Sequence, residues 1–176
     1  MGVAIGRCKF GQSPFWGAKV GPNPTDRGKP GTKKSILVEA SGGPLSTVIA
    51  PANVHDTKLL EETLRDIVVE RPKPTNQAPQ HLCLDKGYDN PSGRQATEAY
   101  GYVPHIRKIG EEKLDEHKNK RLPARRWVVE RTLGWFSKCR SILVRYEKNA
   151  ENYLGLIQLD CALLWFRRLL RFSVLR

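Results

Sequence analysis

Two β-prone runs, Ser35-Ile36-Leu37-Val38-Glu39-Ala40 and Leu45-Ser46-Thr47-Val48-Ile49-Ala50, flank Ser41-Gly42-Gly43-Pro44. Runs of this kind separated by glycine and proline predict a β-hairpin. From Asp56 or Thr57 the period changes, and Leu59, Leu60, Thr63, Leu64, Ile67 and Val68 share one face of a helix predicted to run to about Val69. Pro72, Pro74 and Pro79 then break it. The short apolar run His81-Leu82-Cys83-Leu84 meets the turn-prone Lys86-Gly87-Tyr88, which predicts a buried strand with Asp85 at its mouth. Asn90-Pro91 supplies a cap and a first helical position, and Gly101 a stop. Tyr102 to Ile106 predicts a short strand, which Pro104 assigns to a sheet edge.

Residues 107 to 121 are dominated by charge and predict a solvated, partly helical linker. A helix beginning near Pro123 places Val129, Leu133 and Phe136 at i, i+4 and i+7 as its buried stripe, with Arg126 and Glu130 one turn apart on another face. Residues 151 to 171 form a helix that is apolar almost all round, with Leu154, Ile157, Cys161, Leu164 and Trp165 expected against the sheet. Arg167, Arg168 and Arg171 lie towards its C-terminus, where cations offset the helix dipole. Residues 1 to 34 carry Gly, Pro and Lys without periodicity and predict a basic arm or loop. The order strand pair, helix, strand, helix, strand, helix, helix is an α/β mixture, and 176 residues are the size of one domain.

Charge narrows the class of partner. The net charge is +12 with a pI near 9.8, and the excess is clustered: residues 1 to 34 hold seven Lys/Arg against one acid, and residues 107 to 145 twelve against five. Such surfaces bind phosphate backbones through counterion release, although a solvated basic face gives the same composition. Cys8, Cys83, Cys139 and Cys161 are far apart and show no CxxC spacing, so neither zinc nor a disulfide framework is indicated. With no apolar run of spanning length, the chain reads as soluble and cytoplasmic, associated with the nucleoid if DNA is its partner.

Asp85 at a strand end and Glu130 on a helix are the candidate chemistry. Both are hard oxygen donors of the kind that Mg²⁺ or Mn²⁺ prefers. Each has a plainer reading, Asp85 as a turn cap and Glu130 as an i, i+4 partner of Arg126. Arg131 suits either a bidentate grip on a phosphate or the covering of a helix face. His55-Asp56 reads as a pair that binds a metal or supports its ligands, or as a loop His before a helix-capping Asp, and Trp127 and Trp135 as base-stacking or core residues.

Leu84-Asp85-Lys86-Gly87-Tyr88-Asp89 and, 45 residues on (130 − 85), Trp127-Val128-Val129-Glu130-Arg131-Thr132-Leu133-Gly134-Trp135-Phe136 resemble the second and third acidic motifs of bacterial insertion-sequence transposases of the DDE class. Asn23-Pro24-Thr25-Asp26-Arg27-Gly28-Lys29-Pro30-Gly31 and Ala52-Asn53-Val54-His55-Asp56 resemble two further loops of that group, and the resemblance runs from about Gly21 to about Leu170. It implies a ribonuclease H-like mixed sheet flanked by helices, with its first strand missing here, in a partial catalytic domain over residues 35 to 176. It also implies metal-dependent DNA strand cleavage and strand transfer with Mg²⁺ or Mn²⁺, transposon ends and target DNA as partners, and a homo-oligomer. Asp85 and Glu130 become catalytic metal ligands, and Lys86, Tyr88, Arg126, Arg131 and Lys138 DNA contacts. The family's first aspartate should fall within residues 1 to 10, which hold no acid, and Asp26 is the nearest substitute. The chain therefore reads as a truncated copy, or as a non-catalytic DNA-binding remnant or regulator.

Overall fold

The computed structural model describes residues 3–5, 9–70, 72–106 and 126–174. The first strand, β1 (Val3–Ile5), is followed by β2 (Lys9–Gln12), β3 (Gly21–Pro22), β4 (Pro30–Glu39) and β5 (Pro44–Pro51). Helix α1 (Asp56–Arg65) leads to β6 (Gln80–Leu84), a 3₁₀ turn (Lys86–Tyr88), α2 (Pro91–Ala99) and β7 (Tyr102–Ile106). Among the described residues three helices follow, α3 (Arg126–Phe136), α4 (Arg140–Leu143) and α5 (Ala150–Val174). The charged segment expected as a linker, and the start expected near Pro123, fall outside the described residues.

Among the described residues one mixed sheet carries the seven strands. Strand β4 pairs antiparallel with β5 and with β1, β1 runs parallel to β6, and β6 runs parallel to β7. The proline-bearing strand β7 lies at the end of this path, as Pro104 requires. The expectation that the first strand is missing is corrected here: Val3 pairs with Glu39 on one side and with Leu82 on the other, at the centre of the sheet. Its three residues are too few for a two-residue period to register in the sequence.

The basic arm is also corrected. Lys9–Gln12 and Gly21–Pro22 pair with β4, which itself begins at Pro30 rather than Ser35. Lys33 and Lys34 enter the interior because each ammonium finds oxygen partners. Lys33 Nζ donates to Val54 O at 2.5 Å and to Asp56 Oδ1 at 2.6 Å, and Lys34 Nζ donates to Ile142 O at 2.8 Å. Arg145, 1% exposed, donates from Nη1 to Thr32 Oγ1 and from Nε and Nη2 to the carbonyls of Glu147 and Lys148. Satisfied donors make such burial tolerable.

Strand alternation divides the core between the two sheet faces. Ile36, Val38, Ile49 and Cys83 pack with Val128, Val129, Leu133 and Phe136 of α3 and with Tyr153 and Ile157 of α5. Leu37, Leu82 and Leu84 point to the other face, against Leu60 and Leu64 of α1, Tyr88 and Tyr102. Helix α5 buries Tyr153 and Ile157 and leaves Leu159, Leu163, Phe166 and Leu170, on its opposite side, between 43% and 57% exposed. No helix among the described residues is long and apolar enough to cross a membrane.

Candidate active site

Asp85 continues the extended backbone of β6, with φ −74° and ψ 162°, and caps the 3₁₀ turn by accepting a 2.8 Å hydrogen bond from Lys86 N–H. Because Cys83 belongs to the face covered by α3, the two-residue period assigns the half-buried Asp85 to that same face. Since β1 and β6 are parallel, both deliver their C-terminal ends to the same edge of the sheet. Helix α3 packs across β1 and β4 on this face through Val128 and Val129, and Glu130 follows them on its exposed flank. The fold thus brings the two carboxylates to one side of the sheet.

Other predicted contacts separate. Lys86 is half-buried in the turn directly after Asp85. Tyr88, expected as a DNA contact, is 1% exposed and packs in the cluster of Leu37, Leu60, Leu82 and Leu84 on the opposite face, where it anchors the turn. Arg126 opens α3, and its side chain lies outside the described set. Lys138 is exposed just beyond α3.

Arg131 is committed within the protein. Its guanidinium lies 4.7 Å from the ring centre of Trp127 and 5.1 Å from that of Trp135, and Nη2 donates to Ser41 O in the β4–β5 hairpin. Arg168 of α5 continues the stack, 5.8 Å from Trp135 and 5.3 Å from Trp165, and also donates to Ser41 O. Five side chains from two helices therefore alternate ring and cation, a favourable arrangement when partly desolvated. Trp127, at the outer end of this ladder, is 55% exposed.

Cys83 and His105 escape a reading of sequence alone. They are register partners on β6 and β7, with Sγ 3.5 Å from Nδ1, two residues before Asp85 on the same face. The only sequence signal for them is that shared parity. His55 proves to be the N-cap of α1, where Nδ1 accepts from Thr57 N–H, and Asp56 pairs with Lys33. Asp26 accepts from Gln12 Nε2 at 2.9 Å and lies 3.6 Å from Lys29 Nζ, within the loop before β4.

The donor chemistry of Asp85 and Glu130 fits a hard divalent ion, which Mg²⁺ commonly holds through one or two carboxylates and water. Among the described residues no group of three His, Cys, Asp or Glu side chains is arranged to hold a metal. Two carboxylates suit an ion whose shell is completed largely by water.

The family described as "Transposase DDE domain" matches residues 4–165. Among curated proteins, one assigned as the transposase for insertion sequence element IS402 of Burkholderia cepacia is 38% identical over 160 residues, covering 89% of this chain and 73% of that protein. No solved structure matches. The family match begins at Ala4, within β1, and takes in β6 with Asp85 and α3 with Glu130, so the chain belongs to the insertion-sequence transposases of the DDE class.

Proposed function

We propose that this chain is the catalytic domain of a DNA transposase, built on a ribonuclease H-like sheet, that cuts and joins DNA strands with Mg²⁺ or Mn²⁺. The reading is carried by the placement of Asp85 at the end of β6, parallel to β1, on the sheet face covered by α3, the helix that bears Glu130. The strand order β5-β4-β1-β6-β7, with two antiparallel and then two parallel steps, supports the ribonuclease H-like description.

Asp85 and Glu130 would hold the ion. When bound, such an ion polarises a phosphodiester and makes water or a 3′-hydroxyl a better nucleophile. Lys86, Arg126 and Lys138 would steer and hold the phosphate backbone, and the exposed Trp127 offers a ring edge beside Glu130. The carboxyl of Asp85 holds its turn in place by accepting from the Lys86 N–H through Oδ1. The reaction is hydrolysis at the element end, followed by attack of the freed 3′-hydroxyl on target DNA. The outward stripe of Leu159, Leu163, Phe166 and Leu170 supports a homo-oligomer, and the DNA partner a nucleoid-associated cytoplasmic location.

A second reading, a DNA-binding regulator without catalysis, is favoured by one observation. The sequence after β1 is Gly6-Arg7-Cys8, without an acid, and no three-ligand cluster exists among the described residues. The test is incubation of the purified chain with duplex DNA carrying the element's ends in Mg²⁺. Nicked and strand-transfer products that disappear in Asp85→Asn and Glu130→Gln support the catalytic reading. DNA binding without products, indifferent to both substitutions and to metal, supports the regulator.

A further inference from the structure

Beyond the end of α3, Trp135, Lys138 and Cys139 face Asp160, Leu164, Arg167 and Arg171 across a pocket of about 400 Å³. The α5 residues fall at steps of four, three and four, so they occupy one flank of that helix. Arg168, in the same wall, is held by Glu39 at 3.0 Å and by Ser41. Lys138, Arg167 and Arg171 have no ion pair or hydrogen bond among the described residues.

Asp160, the acid in the wall, makes no ion pair with them among the described residues. Asp160 Oδ1 accepts from the Cys139 thiol at 2.9 Å, and its Oδ2 is buried without a hydrogen-bond partner among the described residues. Like charges at i, i+4, as in Arg167 and Arg171, repel unless an anion lies between them. The helix dipole offers partial relief at a C-terminus. It does not account for Lys138, which comes from another segment to the same pocket. Arg131 and Arg168 already lie 5.1 Å and 5.8 Å from the centre of the Trp135 ring. The pocket suits a tetrahedral anion.

We propose that the pocket between Lys138 and the Arg167–Arg171 turn of α5 binds a phosphate of a DNA strand, at a second point of contact two turns along from Glu130. That the phosphate belongs to DNA rests on the function proposed above, whereas the anion site itself does not. Three cations on one phosphate group or two neighbouring ones fix the register of the strand but carry no sequence information.

The test is fluorescence anisotropy of a labelled duplex with the full chain in EDTA, so that metal chemistry has no part in the result. Arg167→Gln/Arg171→Gln is expected to weaken binding by about tenfold or more and to lower the salt slope by about 2. Lys58→Gln/Arg65→Gln removes the same charge on α1, across the sheet, and is expected to leave the slope unchanged. Asp160→Asn, which keeps the shape and removes the opposing charge, is expected to tighten binding several-fold. Equal losses in the two double variants, or weaker binding in a folded Asp160→Asn, overturn the proposal. Tryptophan fluorescence with inorganic pyrophosphate identifies the source: a saturable response lost in Arg167→Gln/Arg171→Gln, with DNA affinity intact, assigns a free phosphate and also overturns it. Strand-transfer failure with this binding pattern intact would count against the catalytic reading alone.

Discussion

Arg168 of the C-terminal helix reaches Glu39 at the end of β4 with an ion pair of 3.0 Å. Burial alone would raise the Glu39 carboxyl, but hydrogen bonds from Ser41, Gly43 and Arg168 outweigh it and hold the group below its ordinary value. The pair therefore clamps the hairpin tip to α5, alongside the tryptophan–arginine ladder that joins α5 to α3.

Glu39→Gln should destabilise the fold by about 1–2 kcal/mol at neutral pH, since a charge-assisted bond is replaced by a neutral one. A carboxyl with a depressed folded pKa contributes stability above its unfolded value, and this is lost as pH falls through the lower folded value. Urea unfolding at pH 7 and in the acid range below the ordinary value of 4.5 should show the difference between wild type and variant shrinking as pH falls.

Gly43 lets this junction close. A Cβ there would stand 2.4 Å from the Trp165 ring, whose Nε1 donates to Pro44 O at 2.7 Å. Gly43→Ala should cost on the order of 1–3 kcal/mol by forcing hairpin and helix apart. A lowered Tm with a red shift in tryptophan emission is expected, and an unchanged melt would show that the two elements separate freely.

Alkaline stability should be biphasic. Burial, with Lys9 adding to it, lowers Lys34 from 10.5 to about 8. Between those values the unfolded chain binds more protons, so stability rises with pH, by roughly 3 kcal/mol at most from this group. Burial raises Cys161 from 9.0 and Tyr153 from 10.0, each to about 12, and their contributions fall as pH climbs through those windows. Denaturation from pH 7 to 11 should show a rise and then a decline, and Lys34→Met should remove the rise.

Much of the fold follows from periodicity. The hairpin, α1, the strand before Asp85 and the Val129-Leu133-Phe136 stripe are each long or regular enough for one face to declare itself. Strand β1 is not, because three apolar residues between glycines carry no period, and its place comes from pairing with two distant strands. Lys33 and Lys34 read as surface charges because their partners, Asp56 and the carbonyls of Val54 and Ile142, are remote in sequence. The site divides in the same way. Asp85 and Glu130 stand out as candidates from their sequence settings, whereas the burial of Tyr88 and the commitment of Arg131 to two rings and Ser41 depend on tertiary neighbours.

Mn²⁺ binding followed by electron paramagnetic resonance tests, without requiring turnover, whether Asp85 and Glu130 form one ion site. Saturable binding to the wild-type chain, displaced by Mg²⁺ and lost in Asp85→Asn and in Glu130→Gln while both variants stay folded, is the expected result. Mn²⁺ affinity that survives both substitutions, or no binding by the wild type, would contradict it.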